Sequence, residues 1–231
     1  MTCNNQRRAN PRGAKRRMSG QSTVEFIIAA PVILFLILST IQLVLLYRAK
    51  ATLDFATLEA ARAGAVNGAK MSEIKQELAM GLTPLFATEA SIGGITKARI
   101  KAELEVENPI YTNVDIISPT RAMVNEHRER QYNGRFALPN DNLAFRSARV
   151  GRTGVNVQDA NILKIKVTYH YPLIVPFVGL VIKGASKYIK PSGPFDKVTL
   201  RPEPLGRHDR LAIESYAIVR MQSPIYTGTL R

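Results

Sequence analysis

From Phe26 to Leu46 the chain carries no charged residue. At ~1.5 Å per residue, a helix over this run reaches roughly 30 Å, the thickness of a bilayer's hydrocarbon core. Pro31 falls inside it. A proline there removes one backbone hydrogen bond and bends the axis, which membrane helices tolerate better than soluble ones. The helical pattern continues past Leu46. Tyr47 marks the membrane interface. Ala49, Ala51, Ala56, Ala60, Ala61, Ala63 and Ala65 raise helix propensity. Lys50 with Asp54, and Glu59 with Arg62, stand at spacings that meet on one helix face. Gly64, Asn67 and Gly68 supply stop signals. A second helix is predicted from Ser72 to Leu82. Ser72 is its cap, and Met71, Ile74, Leu78 and Leu82 recur at helical spacing. Pro84 and Gly93-Gly94 then punctuate the chain.

At Thr96 the period changes. Ala98, Ile100, Ala102, Leu104 and Val106 alternate with Lys97, Arg99, Lys101, Glu103 and Glu105. A period of two predicts a half-buried strand, ended by Asn108-Pro109. Further strands are predicted at Tyr111–Ile117, at Leu163–Tyr171 and at Leu211–Met221. In the second of these, Leu163, Ile165, Val167, Tyr169 and Tyr171 alternate with polar residues. Residues 118–160 have weak periodicity and read mostly as loop, with a short helix near Ala122–Arg130. Pro172–Ile182 is apolar but too short to cross a bilayer. It reads as a buried loop or a patch against a partner. Residues 184–209 read as a long Pro/Gly-rich connection.

Length and charge sharpen this picture. Of 231 residues, about 20 precede the apolar run and about 185 follow it, enough for a helical stalk and one compact domain. The formal charge is +14. Arg7, Arg8, Arg12, Lys15, Arg16 and Arg17 precede Gly20 with no acid among them. Such a lead-in could bind nucleic acid. Beside an apolar span it is better read by the positive-inside rule: the N-terminus stays cytoplasmic and the C-terminal part crosses. Cys3 is the sole cysteine, which excludes an intramolecular disulfide and a cysteine-based zinc site.

The candidate chemistry lies at the start of the span, in Gly20-Gln21-x-x-x-Glu25-Phe26. A carboxylate at the edge of hydrocarbon is costly. A protease cutting after the small Gly20 would remove the basic leader and free an amine at Gln21. That amine would sit about one helical turn from Glu25. It could pair with the Glu25 of its own chain or of a neighbour, setting the axial register of packed helices. The alternative is an uncleaved signal anchor with Glu25 among the headgroups. Ser19-Gly20-Gln21-Ser22-Thr23-Val24-Glu25-Phe26, followed by Ala30-Pro31 and the apolar run, resembles the class III signal of type IV pilin-like proteins. The continuation through Leu46-Tyr47-Arg48-Ala49-Lys50-Ala51-Thr52-Leu53 and Ala56-Thr57-Leu58-Glu59-Ala60-Ala61-Arg62-Ala63-Gly64-Ala65 resembles TadE-like pseudopilins of the tight-adherence (Flp pilus) secretion system. Val219-Arg220-Met221-Gln222-Ser223-Pro224 is similar to that family as well. The resemblance implies cleavage between Gly20 and Gln21 by a prepilin peptidase, and helix packing through Glu25, Phe26 and Pro31. It also implies an assembly role rather than catalysis.

Other constellations are weaker. Ala49-Lys50-Ala51 has the small-x-small form that signal peptidase cuts, with an unfavourable lysine inside it. Arg121, Arg128, Arg130, Arg135, Arg146, Arg149 and Arg152 could bind an anion, but Glu126, Glu129, Asp141 and Asp159 lie among them, and a solvated loop is the simpler reading. His127, His170 and His208 form no motif, with His170 on the polar side of its strand. No Walker-type glycine loop occurs, which excludes the assembly motor. The expected fold is α+β and pilin-like. It comprises a leader (1–20), a membrane helix and stalk (21–68), and an extracytoplasmic domain with an antiparallel sheet (69–231). The expected partners are the prepilin peptidase, other pilins or pseudopilins, and lipid, with no cofactor, metal or nucleic acid. The expected location is the bacterial inner membrane, single-pass, with the C-terminal domain outside. The alternative is a signal-anchored periplasmic binding or adaptor protein, and leader removal distinguishes the two.

Overall fold

The computed structural model describes residues 21–175, 200–202 and 209–230. Its first element, α1 (Gln21–Val66), is one uninterrupted helix that continues through Pro31. Its length is roughly 69 Å at 1.5 Å per residue. Asn67 donates its side-chain amide to Ala63 O at 3.0 Å, and Gly68 turns the chain at φ +68°. Gly64, by contrast, lies within the helix.

Helix α2 (Met71–Phe86) packs back along α1 and buries Ile74, Leu78 and Leu82. Its cap position is Lys70, without a side-chain bond, so Ser72 is an ordinary first-turn residue. Pro84 does not end the helix but sits in its last turn. There its carbonyl accepts from Arg48 Nη2 at 3.5 Å.

The strand expected at Thr96–Val106 is instead helix α3 (Ile92–Glu107). The reason is visible in the same residues. Ala98, Ala102 and Val106 satisfy a period of two, but they also stand four apart and form the buried stripe of a helix. Ile100 and Leu104, the other half of the alternation, point to solvent. Ala, Lys, Arg, Glu and Leu are strong helix formers, Ser91 Oγ caps the start by accepting from Gly94 N at 3.0 Å, and Arg99 pairs with Glu103 one turn on. Gly93-Gly94 thus falls in the first turn of α3 rather than between elements.

Strand β1 (Thr112–Ser118) agrees with its sequence pattern. Residues 118–160, expected mostly as loop, hold several short elements: α4 (Arg121–Glu126), β2 (Glu129–Arg130), β3 (Phe136–Leu138), a 3-10 turn (Leu143–Phe145) and α5 (Val157–Ala160). Strands β4 (Ile162–Pro172) and β6 (Asp209–Arg220) match their expected positions, with β5 (Leu200–Pro202) beside β6 and β7 (Ile225–Tyr226) near the C-terminus.

The main sheet has the order β1-β4-β6-β5, all neighbours antiparallel. The small sheet is β2-β3-β7, also antiparallel. The class is therefore mixed α+β. Leu163, Ile165, Val167 and Tyr169 alternate inward from β4. They meet Leu53, Ala56, Ala60 and Ala61 of α1 and Ile74 and Leu78 of α2 in one core. Each buried Leu, Ile or Val among them contributes about 1.5–3 kcal/mol by leaving water.

His170 departs from its expected polar setting. It is buried at the end of β4, where Nδ1 lies 3.1 Å from Tyr111 O. Arg210 Nη1 donates to the His170 carbonyl at 3.0 Å. Both Nη atoms of Arg210 also reach Glu105 of α3 at 3.2 Å, and the Tyr169 hydroxyl donates to Glu105 Oε2 at 2.8 Å. Burial first, then the Glu105 carboxylate, push the Tyr169 phenol above its usual range. This cluster ties α3 to the sheet, and the Glu105 carboxylate is available to it because α3 is a helix.

Candidate functional site

Helix α1 is two surfaces in series. Its first half is exposed almost all round: Phe26 is 70% accessible, and Ile27, Ile28, Val32, Ile33, Leu36, Ile37 and Leu43 are similarly open. An apolar surface of this extent is stable only under lipid or other apolar helices. Within Thr23–Val66 lies a stretch long and apolar enough to cross a membrane. The second half is the reverse. Ala49, Leu53, Ala56, Ala60, Ala61 and Ala65 are fully buried. Small residues allow close approach. A Cβ on Gly81 of α2 would lie 2.6 Å from Ala56 Cβ, so the two helices touch there almost backbone to backbone.

Polar contacts lock the second half in rotation and height. Lys50 pairs with Asp54 and donates to Glu214 O of β6 at 2.7 Å. Ser215 Oγ donates to Asp54 Oδ1 at 2.7 Å. At the top, Gln222 N and Ser223 Oγ each donate to Ala65 O at 3.0 Å, while Ser223 Oγ accepts from Gly68 N at 2.7 Å. The segment Val219–Pro224 therefore caps the C-terminus of α1, meeting an end-of-helix carbonyl that has no partner within the helix. Two stretches distant in sequence are joined in this one contact.

The residues singled out in the sequence distribute as follows. Gln21 begins α1, Glu25 is exposed in the next turn, and Phe26 and Pro31 follow on the exposed half. The spacing of Gln21 and Glu25 is one helical turn, so the two are neighbours along the axis. Gly20 and the basic leader lie outside the described residues, as do His208 and most of 184–209. Of the apolar stretch Pro172–Ile182, Pro172 closes β4 and Leu173 and Val175 are buried. Residues 176–182 lie outside the described part. Ala49-Lys50-Ala51 sits in mid-helix, with Ala49 in the core and Lys50 on β6. A protease that needs an extended segment finds none there.

The arginines gather only in the company of acids. Arg121 donates to Leu230 O at 2.7 Å, Arg128 lies over the Phe136 ring and Arg135 over the Tyr226 ring. Arg146 binds Glu129 at 2.6 Å and Asp141 at 3.0 Å. Arg128, Arg146, Arg149 and Arg152 line one groove, shared with Glu126 and Glu129. Mixed charge of this kind holds loops together rather than gathering one anion. Glu126 shows it most clearly. The Thr153 hydroxyl, Thr153 N and Arg152 N all donate to its carboxylate, and these bonds pull its pKa down to about 2. His127 contacts Val155 O, away from His170. Among the described residues no group of His, Cys, Asp and Glu is arranged to hold a metal.

Sequence reasoning missed Gln42, Glu105, Arg210 and Ser223. Gln42 carried a signal, being the one amide side chain in the uncharged run. Ser223 lay in the Val219–Pro224 segment already singled out, without its contact, and Glu105 and Arg210 carried no signal, because their pairing joins residues more than a hundred positions apart.

Residues 20–62 match the family described as TadE-like protein. The match begins at Gly20 and covers the exposed half of α1 and most of its buried half. No curated protein and no solved structure matches the chain. The chain thus carries a TadE-like segment at residues 20–62.

Proposed function

We infer that this protein is a TadE-like pseudopilin, anchored by one helix in the inner membrane and acting in assembly of a tight-adherence (Flp) pilus. A prepilin peptidase removes the leader 1–20 between Gly20 and Gln21. The anchor and stalk span 21–68, and the domain 69–231 faces outward, since the six leader charges hold the N-terminus in the cytoplasm. The new Gln21 amine pairs with Glu25, on its own chain or on a neighbouring subunit. Pro31 and Phe26 shape the surface offered to other pilins or pseudopilins. The role is structural. The domain is an adaptor that primes or caps the filament.

One observation carries this reading. The half of α1 that bears Glu25 is bare and apolar, while the other half is fixed in the domain by Lys50, Asp54 and Ala65. Any displacement of the anchor helix is therefore passed to the domain as a rigid movement, which is what assembly beside other helices requires. The TadE-like match over 20–62 supports the family context.

The test is the intact mass of the protein purified from its native membrane, together with surface pilus yield. Loss of residues 1–20 is expected, and Gly20→Val should abolish it by crowding the extended backbone at the cut. Glu25→Val should leave cleavage unchanged and reduce piliation, with Glu25→Asp intermediate. Retention of Met1 would overturn the processing. Normal piliation with Glu25→Val would overturn the pairing and leave a plain membrane anchor.

A further inference from the structure

Strand β4 runs along α1 toward the membrane. Tyr171, near its end, is close enough to Arg48 for the guanidinium to act on its phenol, which burial pushes up. Arg48 is the first charged residue beyond the apolar run. The chain does not turn away there. Leu173 N still pairs with Asp209 O at 2.9 Å, and two residues later Val175 N donates to Gln42 Oε1 at 3.0 Å. Gln42 precedes Arg48 by six residues, about 9 Å along the helix axis toward the opposite face of the membrane. Residues 173–175 therefore stand beside α1 at the level of its uncharged run.

We propose that Leu173–Val175 form a second membrane contact, seated on α1 through Gln42 and covered by the acyl chains of the bilayer. The side chains fit. Leu173 and Val175 are buried against protein, and Ile174, 53% exposed, is the side chain left for lipid. From Pro172 to Ile182 the sequence has no charged residue. Two backbone N–H groups, those of Leu173 and Val175, are met by protein. In hydrocarbon an N–H without a partner costs several kcal/mol, so non-helical chain at that depth must be satisfied by protein. Gln42 supplies the acceptor for Val175 and is itself only 1% exposed. This also explains why an amide side chain interrupts an otherwise apolar span. Ser39, one turn deeper, lies on the same face, and its Oγ is buried. Helix positions 35, 38, 39, 42, 45 and 46 are all less exposed than their neighbours, one continuous stripe on a helix that is otherwise open. Lipid is the occupant because residues 173–175 sit on Gln42, within the uncharged run of α1. The domain then has two attachments to the membrane, which fix its height and rotation above the bilayer.

The chain contains no tryptophan, so Ile174→Trp introduces a sole indole reporter. The full-length variant is reconstituted in phosphatidylcholine–phosphatidylglycerol vesicles, with and without bromine at mid-acyl positions, and excited beyond tyrosine absorption. Tyr132→Trp, in the connection between β2 and β3, is the reference outside the membrane. The expected result for residue 174 is a blue-shifted emission, loss of intensity with brominated lipid and protection from aqueous iodide. The reference should be quenched by iodide and not by bromine. Emission at the aqueous position with iodide quenching would overturn the proposal. So would protection from both quenchers, which would put protein rather than lipid over Ile174. Leader processing and piliation are read separately and do not depend on this outcome.

Discussion

Gly81→Ala tests whether the stalk and the domain are one rigid unit. An added Cβ would lie 2.6 Å from Ala56 Cβ and 2.7 Å from Ala56 Cα. Carbon atoms in contact settle at about 3.5–4.0 Å, so the deficit is close to 1 Å. Both opposing atoms are fixed to the backbone of α1, so no side-chain rotation relieves the clash. The helices must separate, and Leu53, Leu78 and Leu82, which are fully buried around the crossing, lose contact. Overpacking of this kind costs about 1–3 kcal/mol, and backbone against backbone belongs at the upper end. Alanine at a helical position returns about 1 kcal/mol of propensity over glycine. The clash wins, and a net loss of about 2 kcal/mol is expected. The assay is urea unfolding of the full chain in detergent, followed by circular dichroism. Ala56→Gly removes the nearest atom, so the double variant should lose less than the sum of the two single changes, a coupling of the kind seen for residues in contact. A Gly81→Ala protein as stable as the native one, or more so, would refute the close crossing and with it the rigid link from membrane helix to domain.

Three further changes probe the contacts that hold α1, α3 and the loop at residues 152–153. Glu105→Leu leaves the buried Arg210 without its carboxylate and should cost about 3–5 kcal/mol, whereas Glu105→Gln keeps an acceptor for Tyr169 and should cost less; equal unfolding midpoints for the two would deny the ion pair its role. Ser223→Ala removes a donor to Ala65 O and the acceptor of Gly68 N, with an expected loss of about 1 kcal/mol and faster amide exchange at Gly68, and unchanged exchange would show that the cap is idle. The Glu126 carboxyl is held down at about 2 against 4.5 in the unfolded chain. Its stabilisation is therefore present above pH 4.5 and disappears as pH falls toward 2. Exchange of the Arg152 and Thr153 amides should stay slow through pH 4 and accelerate below about 2.5, whereas Glu126→Gln should be fast throughout. A native protein that loosens already at pH 5 would show that another group controls the loop.

The anchor helix and its continuation could be read from composition alone. An uncharged run of bilayer length followed by an alanine-rich stretch has few alternative structures, because every backbone group in lipid must be bonded within the helix. Strands β1, β4 and β6 were legible for a similar reason: one face meets a core and the other meets water, and that contrast is written into alternate positions. The α3 segment shows the limit of such reading. Ala98, Ala102 and Val106 satisfy two periods at once, and a local pattern cannot choose between them. The choice came from burial against α2, from the Ser91 cap and from the partner that Glu105 finds in Arg210. The functional surface divides in the same way. Charge and hydropathy act over neighbouring residues, so a basic N-terminal segment and Glu25 at the head of a long apolar run are legible without any fold. Folding alone brings Ser223 onto the end of α1, Gly81 against Ala56, and Val175 back to Gln42. Those contacts join residues 25 to 158 positions apart, and their free energy exists only once the chain has closed the loops between them.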